Sequence, residues 1–333
     1  MNYRSIDDLS RDTTALAREL PSDIDLVVGI PRSGLLAANL LCLQLNTRMT
    51  DVQGLRDRRL LSSGYRYGGK VSGFDDIQRV LVVDDSVKTG RQMRETKAEL
   101  AEMDLPFDVE YAAIYVSSTG HRHVDYWGEV IHDDRFFEWN MMHHPILKLS
   151  CVDIDGVLCR DPTPEENDDG ERYVEFLQTV EPSLVPTERI GWLVTSRLEK
   201  YRPETEAWLD RHDIHYDELV MMDHESAEER RAASDHSEYK ARVYTETGAK
   251  LFIESNPRQA TTIAELSKKP AFSYETNELV KPGTVASVQQ KSSEYLTRFR
   301  ETPVAFSLTA SRYAVDVLSG MIDRRVGARR QRR

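Results

Sequence analysis

The sequence predicts an α/β protein carrying two parallel-sheet units in one chain. Three observations carry that prediction. Through residues 24–118, apolar strand-like runs alternate with helix-like segments, the pattern of a mostly parallel sheet covered by helices on both faces. A second set of short apolar runs, each ending in a carboxylate or a hydroxyl, extends from Cys151 to Asn256. The chain has 333 residues, enough for two domains.

The first element with chemical content is the run Val27-Val28-Gly29 followed by Ile30, Pro31, Arg32, Ser33 and Gly34. It reads as a buried strand ending in a glycine-bounded loop, and Leu35 to Leu45 then reads as a helix. Gly29 and Gly34 permit unusual backbone angles, and Arg32 supplies a fixed positive charge. Next comes a polar stretch, Gly54 to Asp76, rich in Gly, Arg and Tyr (Arg56, Arg58, Arg59, Tyr65, Arg66 and Lys70). The third element is Val80-Leu81-Val82-Val83, which ends in Asp84 and Asp85 and continues as Ser86, Val87, Lys88, Thr89 and Gly90. A helix-like segment, Met93 to Met103, follows. Backbone N–H groups converging before a helix N-terminus suit a phosphate dianion. Two carboxylates just upstream suit the hydroxyls of the sugar that carries it.

In this order, about fifty residues apart, the two loops resemble those of type I phosphoribosyltransferases. The resemblance implies a substrate, phosphoribosyl pyrophosphate (PRPP), and a bound Mg²⁺. Gly29, Pro31, Arg32, Ser33 and Gly34 would cradle its pyrophosphate. Asp84 and Asp85 would hold the ribose 2- and 3-hydroxyls, and Ser86, Lys88, Thr89 and Gly90 the 5-phosphate. A mobile lid belongs at Gly54 to Asp76, closing over PRPP to exclude water; the alternative is a plain surface loop. One departure is visible. The family loop commonly ends in Thr or Ser after the glycine, where this chain has Arg91 and Gln92.

Residues 119–148 are less regular and contain Phe136 to Pro145. In the family, a segment outside the core sheet often forms a hood over the acceptor. Trp139 and Asn140 suit a sugar or base, with a ring for stacking and a polar tip for hydroxyls, and His143 or His144 could take the acceptor proton. The alternative is a packed aromatic linker.

The second set of motifs begins at Cys151-Val152-Asp153-Ile154-Asp155-Gly156. Trp192-Leu193-Val194-Thr195 is an apolar strand ending in a hydroxyl, and Leu251-Phe252-Ile253-Glu254 is another ending in a carboxylate. Lys240 stands between them, with Lys250 as a second candidate lysine. The set resembles the haloacid dehalogenase (HAD) phosphatases. It implies Asp153 as nucleophile, Asp155 as general acid and base, Thr195 and Lys240 on the phosphate, and Mg²⁺ held by Asp153, Asp155 and Glu254. Many members have paired aspartates where this chain has Glu254 and Ser255. Some thirty residues separate the first two motifs, so any cap is small or missing.

The fold expected is therefore two Rossmann-like domains: a type I phosphoribosyltransferase fold over residues 1–148, then a HAD-like fold over 149–270. A C-terminal extension, 271–333, completes the chain. In it Ala310, Tyr313, Ala314, Val317, Leu318 and Met321 share a helical face, followed by Arg324, Arg325, Arg329, Arg330, Arg332 and Arg333. That is a docking helix with a solvated basic tail, or a tail that touches an anionic membrane surface.

Composition bounds the class. Hydrophobic residues make up 40% and charged residues 30%, as in a soluble globular protein. A net charge of −12 argues against a general nucleic-acid binder. The three cysteines (Cys42, Cys151 and Cys159) show no metal-like spacing and read as reduced core residues. With no apolar N-terminal segment, the expected location is the cytoplasm, at the inner face of the membrane if the tail binds there.

A PRPP transferase followed by a phosphatase suggests consecutive steps. Dephosphorylating a nucleotide discards a salvage product, whereas building plain ribofuranose into a surface polysaccharide needs it. The arrangement resembles the bacterial two-domain enzymes that do this, a glycan phosphoribosyltransferase fused to a phosphoribosyl phosphatase. Its acceptor would be a glycan or lipid-linked glycan, and a homodimer fits the transferase family. The competing readings are a nucleobase phosphoribosyltransferase coupled to a nucleotide phosphatase, a PRPP-sensing regulator, and a stress-operon protein with only the phosphatase active.

Overall fold

The structure is a computed structural model that describes residues 1–62, 64–65, 67–69, 71–132, 134–223 and 236–283. The C-terminal helix and basic tail expected over residues 310–333 lie outside the described residues, as do Arg66 and Lys70 of the expected lid. No helix among the described residues is long and apolar enough to cross a membrane.

The first unit opens with β1 (Asn2–Arg4) and α1 (Ile6–Ala17), the latter started by a Ser5–Asp8 capping box. It continues with β2 (Leu26–Gly29), α2 (Gly34–Leu45), β3 (Arg48–Asp51), α3 (Val52–Arg56), β4 (Arg79–Val87), α4 (Arg91–Ala101), β5 (Asp108–Val116), β6 (Tyr126–Val130) and β7 (Arg135–Phe137). Five strands form a wholly parallel sheet in the order β3-β2-β4-β5-β6. The unbroken apolar runs of β2 and β4 are buried because such a sheet is covered on both faces. One buried layer gathers Leu9, Leu16, Ala38 and Leu41 from α1 and α2; the other gathers Val52, Leu55, Met93 and Leu100 from α3 and α4.

The structure corrects several boundaries. The stretch expected to begin a lid at Gly54 lies inside α3, whose N-cap Asp51 accepts from Gly54 N. The helix expected from Met93 begins at Arg91, because Gly90 (φ 72°) ends the loop there. The strand expected to stop at the acidic pair continues through both aspartates to Val87, since β5 pairs with it along its full length. The irregular stretch 119–148 contributes β6 to the sheet and β7 to a parallel pair with β1.

The second unit comprises β8 (Ser150–Val152), α5 (Glu171–Thr179), β9 (Ile190–Leu198), α6 (Arg202–Arg211), β10 (Tyr216–Met222), α7 (His236–Glu246), β11 (Leu251–Glu254), α8 (Pro257–Ser267), β12 (Ala271–Ser273) and β13 (Glu278–Val280). Its sheet runs β10-β9-β8-β11-β12-β13, parallel except for β13. It therefore continues past residue 270, where the domain was expected to end: β12 pairs with β11 and buries Phe272 completely. Between the first two expected motifs, α5 is the one α-helix among the described residues, and its apolar face packs Tyr173, Phe176 and Leu177 onto the core.

Strand alternation in β7 joins the units. Phe136 points into the second unit's core, where its ring lies 6.5 Å from Phe272. Its neighbour Phe137 points into the first, stacked 5.5 Å from Tyr115 and 4.7 Å from Trp139. Tyr3 closes the seam against Phe136 and Phe272, and its hydroxyl donates to Asn277 O at 2.7 Å. The segment thus packs aromatic rings into both cores. Phe272→Ala should cost about 3–5 kcal/mol of stability, read as a lower urea midpoint of the whole chain; an unmoved midpoint would contradict a shared seam.

Candidate functional site

The glycine-bounded loop and the acidic pair lie at the carboxyl ends of neighbouring strands, β2 and β4, where open α/β sheets place their ligand crevices. Gly34 makes the approach feasible: a Cβ there would stand 2.8 Å from Val83 O and 3.1 Å from Asp84 Cα. Ser33 Oγ donates to Asp85 Oδ1 at 2.7 Å, and Trp139 Nε1 donates to Asp85 Oδ2 at 2.8 Å. Pro31 and Arg32 are exposed at the loop tip, and the Pro31–Arg32 peptide is cis.

Asp84 and Asp85 are both buried, and Asp85 N donates to Asp84 Oδ1 at 3.0 Å. Burial and the adjacent Asp85 charge push the Asp84 carboxyl up to about 8, with Arg135 opposing. Ser86 is half-buried, Lys88 and Thr89 are exposed, and Gly90 sits in the left-handed region where an added Cβ would strike the His123 ring. Ser117 Oγ donates to Lys88 O and Arg94 Nη1 to Thr89 O, fixing the loop at the N-terminus of α4.

Of the expected acceptor residues, Trp139 touches the acidic pair. Asn140 and His143 line a cleft beside it, and His143 Nδ1 lies 3.1 Å from Thr187 Oγ1. His144 Nδ1 accepts from Ile146 N, which leaves its proton on Nε2. Burial, then the nearby Lys88 and Arg135 charges, holds the His144 imidazole below its ordinary value.

The second acidic set also lies at carboxyl strand ends: Asp153 just after β8, Thr195 within β9 and Glu254 closing β11. Lys240 on α7 donates to Asp153 Oδ2 at 2.6 Å and Glu254 Oε2 at 2.7 Å, and all three side chains are buried. Burial pushes the Asp153 carboxyl up to about 8, against the pull of Lys240. Lys250 is half-exposed, 3.5 Å from Asp134, and takes no part. Thr195 Oγ1 accepts from Arg197 N at 3.2 Å.

Asp155 is separate from this triad. The buried Arg197 guanidinium holds it at 2.7 Å, with Nε 3.1 Å from its other oxygen. Sequence reasoning quoted the strand that carries Arg197 but gave the residue no role. The available signal was an arginine inside an apolar strand, which needs a buried anionic partner. Among the described residues, no three His, Cys, Asp or Glu side chains are gathered to hold a metal. The hard oxygens of Asp153, Asp155 and Glu254 suit Mg²⁺ in kind. In this structure Lys240 bridges Asp153 and Glu254, and Arg197 pairs with Asp155.

Two predictions follow from these buried charges. Asp84→Asn should stabilise the fold by about 1–2 kcal/mol near pH 8. A carboxyl raised from 3.8 toward 8 loses stability as pH rises across that window, so the gain should shrink toward pH 4; a gain that grew on acidification would contradict the burial argument. Lys240→Met should cost about 3–5 kcal/mol by leaving two buried carboxylates uncompensated. Part of that loss should return when Asp153→Asn is added, as measured by denaturant unfolding.

No family model matches the chain. The chain is 33% identical over 142 residues to a xanthine-guanine phosphoribosyltransferase of Chromohalobacter salexigens, a match spanning 41% of this chain and 82% of that protein. Among solved structures, the xanthine-guanine-hypoxanthine phosphoribosyltransferase of Helicobacter pylori is 15% identical, covering 41% of this chain and 92% of the other with a TM-score of 0.33. The purine phosphoribosyltransferase of Pyrococcus horikoshii is 21% identical with the same coverages and a TM-score of 0.30.

Proposed function

Because the chain belongs, through its N-terminal part, to the phosphoribosyltransferase family, we propose that it transfers 5-phosphoribosyl from PRPP to a glycan hydroxyl and then removes the 5-phosphate at its second site. The observation that carries the transfer step is the Ser33–Asp85 hydrogen bond, which joins the glycine-bounded loop to the acidic pair at one sheet edge.

In this reading, Asp84 and Asp85 take the ribose hydroxyls, with Asp85 oriented by Ser33 and Trp139. The backbone of Ser86 to Gly90 takes the 5-phosphate, and the loop from Gly29 to Gly34 takes the pyrophosphate, with Arg32 free to reach it. The acceptor oxygen bonds to C1 as the C1–O bond to pyrophosphate breaks, and pyrophosphate leaves with the electron pair. The acceptor proton passes to His143 Nε2. The chain's work is positioning and charge stabilisation. Mg²⁺ would accompany PRPP as its counter-ion.

For the second step, Asp153 attacks phosphorus, Asp155 protonates the departing ribose 5-oxygen, and water then cleaves the aspartyl phosphate. Lys240 and Thr195 contact the phosphate, and Arg197 is a positioning residue for Asp155. The support is the resemblance to HAD phosphatases and the convergence of Asp153, Lys240 and Glu254 at one sheet edge.

A second reading has a nucleobase acceptor. The name of the Chromohalobacter relative favours it, because that protein is a xanthine-guanine phosphoribosyltransferase. The presence of a second acidic site on the same chain favours the glycan.

Asp153→Asn should accumulate a phosphopentosylated glycan where the wild type yields a plain pentose, as seen by mass spectrometry. The Asp84→Asn, Asp85→Asn double variant should make neither while still hydrolysing ribose 5-phosphate. Loss of both activities in either folded variant would end the two-site division, and a nucleobase product would replace the glycan reading.

A further inference from the structure

A cleft of about 410 Å³ lies at the seam between the units, within the range of about 300–1,000 Å³ usual for small-ligand sites. The first unit contributes Trp139, Asn140 and His143 to it; the second contributes Leu184, Tyr274 and Asn277. Trp139 lines this cleft and its Nε1 donates to Asp85, so one side chain links the cleft to the carboxylate assigned to the ribose.

We infer that this cleft is the acceptor subsite and that the second unit completes it, so that the acceptor is an uncharged, polyhydroxylated sugar ring held between the two units. The inference rests on the transferase reading above.

Three features select that chemistry. No lysine or arginine lines the cleft, and its one charged lining residue, Glu138, already accepts from Ile6 N and Tyr3 Oη, so the bound part of the acceptor is not a phosphate or carboxylate. Asn140 Oδ1 is buried with no hydrogen-bond partner among the described residues, which demands a donor such as a sugar hydroxyl. Trp139 and Tyr274 supply aromatic surface, while the Asn140 and Asn277 amides both donate and accept, as a ring with hydroxyls on its rim requires. Tyr3–Asn277 and His143–Thr187 contacts tie the two units together beside these lining residues.

Tyr274 provides the test, because it belongs to the second unit and to neither set of reacting groups. The probes are PRPP with a panel of neutral monosaccharide and disaccharide glycosides and the common nucleobases, read by pyrophosphate release from the full-length chain. The wild type should use a glycoside. Tyr274→Ala should raise the KM for that glycoside about tenfold, leave the KM for PRPP within about twofold, and leave ribose 5-phosphate hydrolysis unchanged. Asn140→Ala should act in the same direction. Unchanged PRPP and phosphatase parameters certify that each variant is folded. A glycoside KM unmoved by both substitutions overturns the subsite while leaving the transferase reading intact. A nucleobase used with a KM indifferent to Tyr274→Ala overturns it as well. Absence of PRPP-dependent pyrophosphate release with every acceptor overturns the transferase reading itself.

Discussion

The Asp85 carboxylate, buried and held from two sides, is the contact on which the first site depends. A carboxylate taken out of water is costly unless each oxygen finds a donor. Here one donor is Ser33 from the glycine-bounded loop and the other is Trp139 from the linker segment. Satisfying one buried charge therefore fixes three pieces of chain that lie far apart in sequence: the β2–α2 loop, the end of β4, and the aromatic segment after β7. The same economy operates at the second sheet edge. There Lys240 satisfies Asp153 and Glu254 together and Arg197 satisfies Asp155. Both edges gather buried carboxylates near the carboxyl ends of parallel strands.

The two edges differ in what they leave available. At the first, Lys88 and Thr89 of one loop and Arg32 of the other are exposed to solvent. At the second, the charges are paired with one another and enclosed. The seam between them is built from alternate residues of one short strand, with Phe136 serving one core and Phe137 the other. A rigid seam of this kind makes the relative placement of the two sites a property of the fold rather than of a loose tether.

Much of this was legible in the sequence. The apolar runs at Val27 and Val80 are buried strands because a parallel sheet is covered on both faces, and continuous hydrophobicity reports that directly. Asp153 and Glu254 stand at strand ends, as their position after apolar runs implied, whereas Asp84 and Asp85 lie inside β4, within its pairing with β5. What was not legible depended on partners distant in the chain. The pairing of β1 with β7, the continuation of the second sheet through Phe272, and the Asp155–Arg197 pair each join residues with no local signal of one another. The Lys240 bridge between Asp153 and Glu254 is hidden for the same reason. Residue type announces hard ligands, but whether a lysine stands between them is a matter of tertiary placement.

The most direct test of the account is a time course of the wild-type enzyme with PRPP and a glycan acceptor, followed by phosphorus NMR. The account predicts that pyrophosphate appears first and inorganic phosphate later, that the two reach equal amounts, and that both depend on the acceptor. Pyrophosphate released with no inorganic phosphate following it, or phosphate released from PRPP before pyrophosphate, would contradict it.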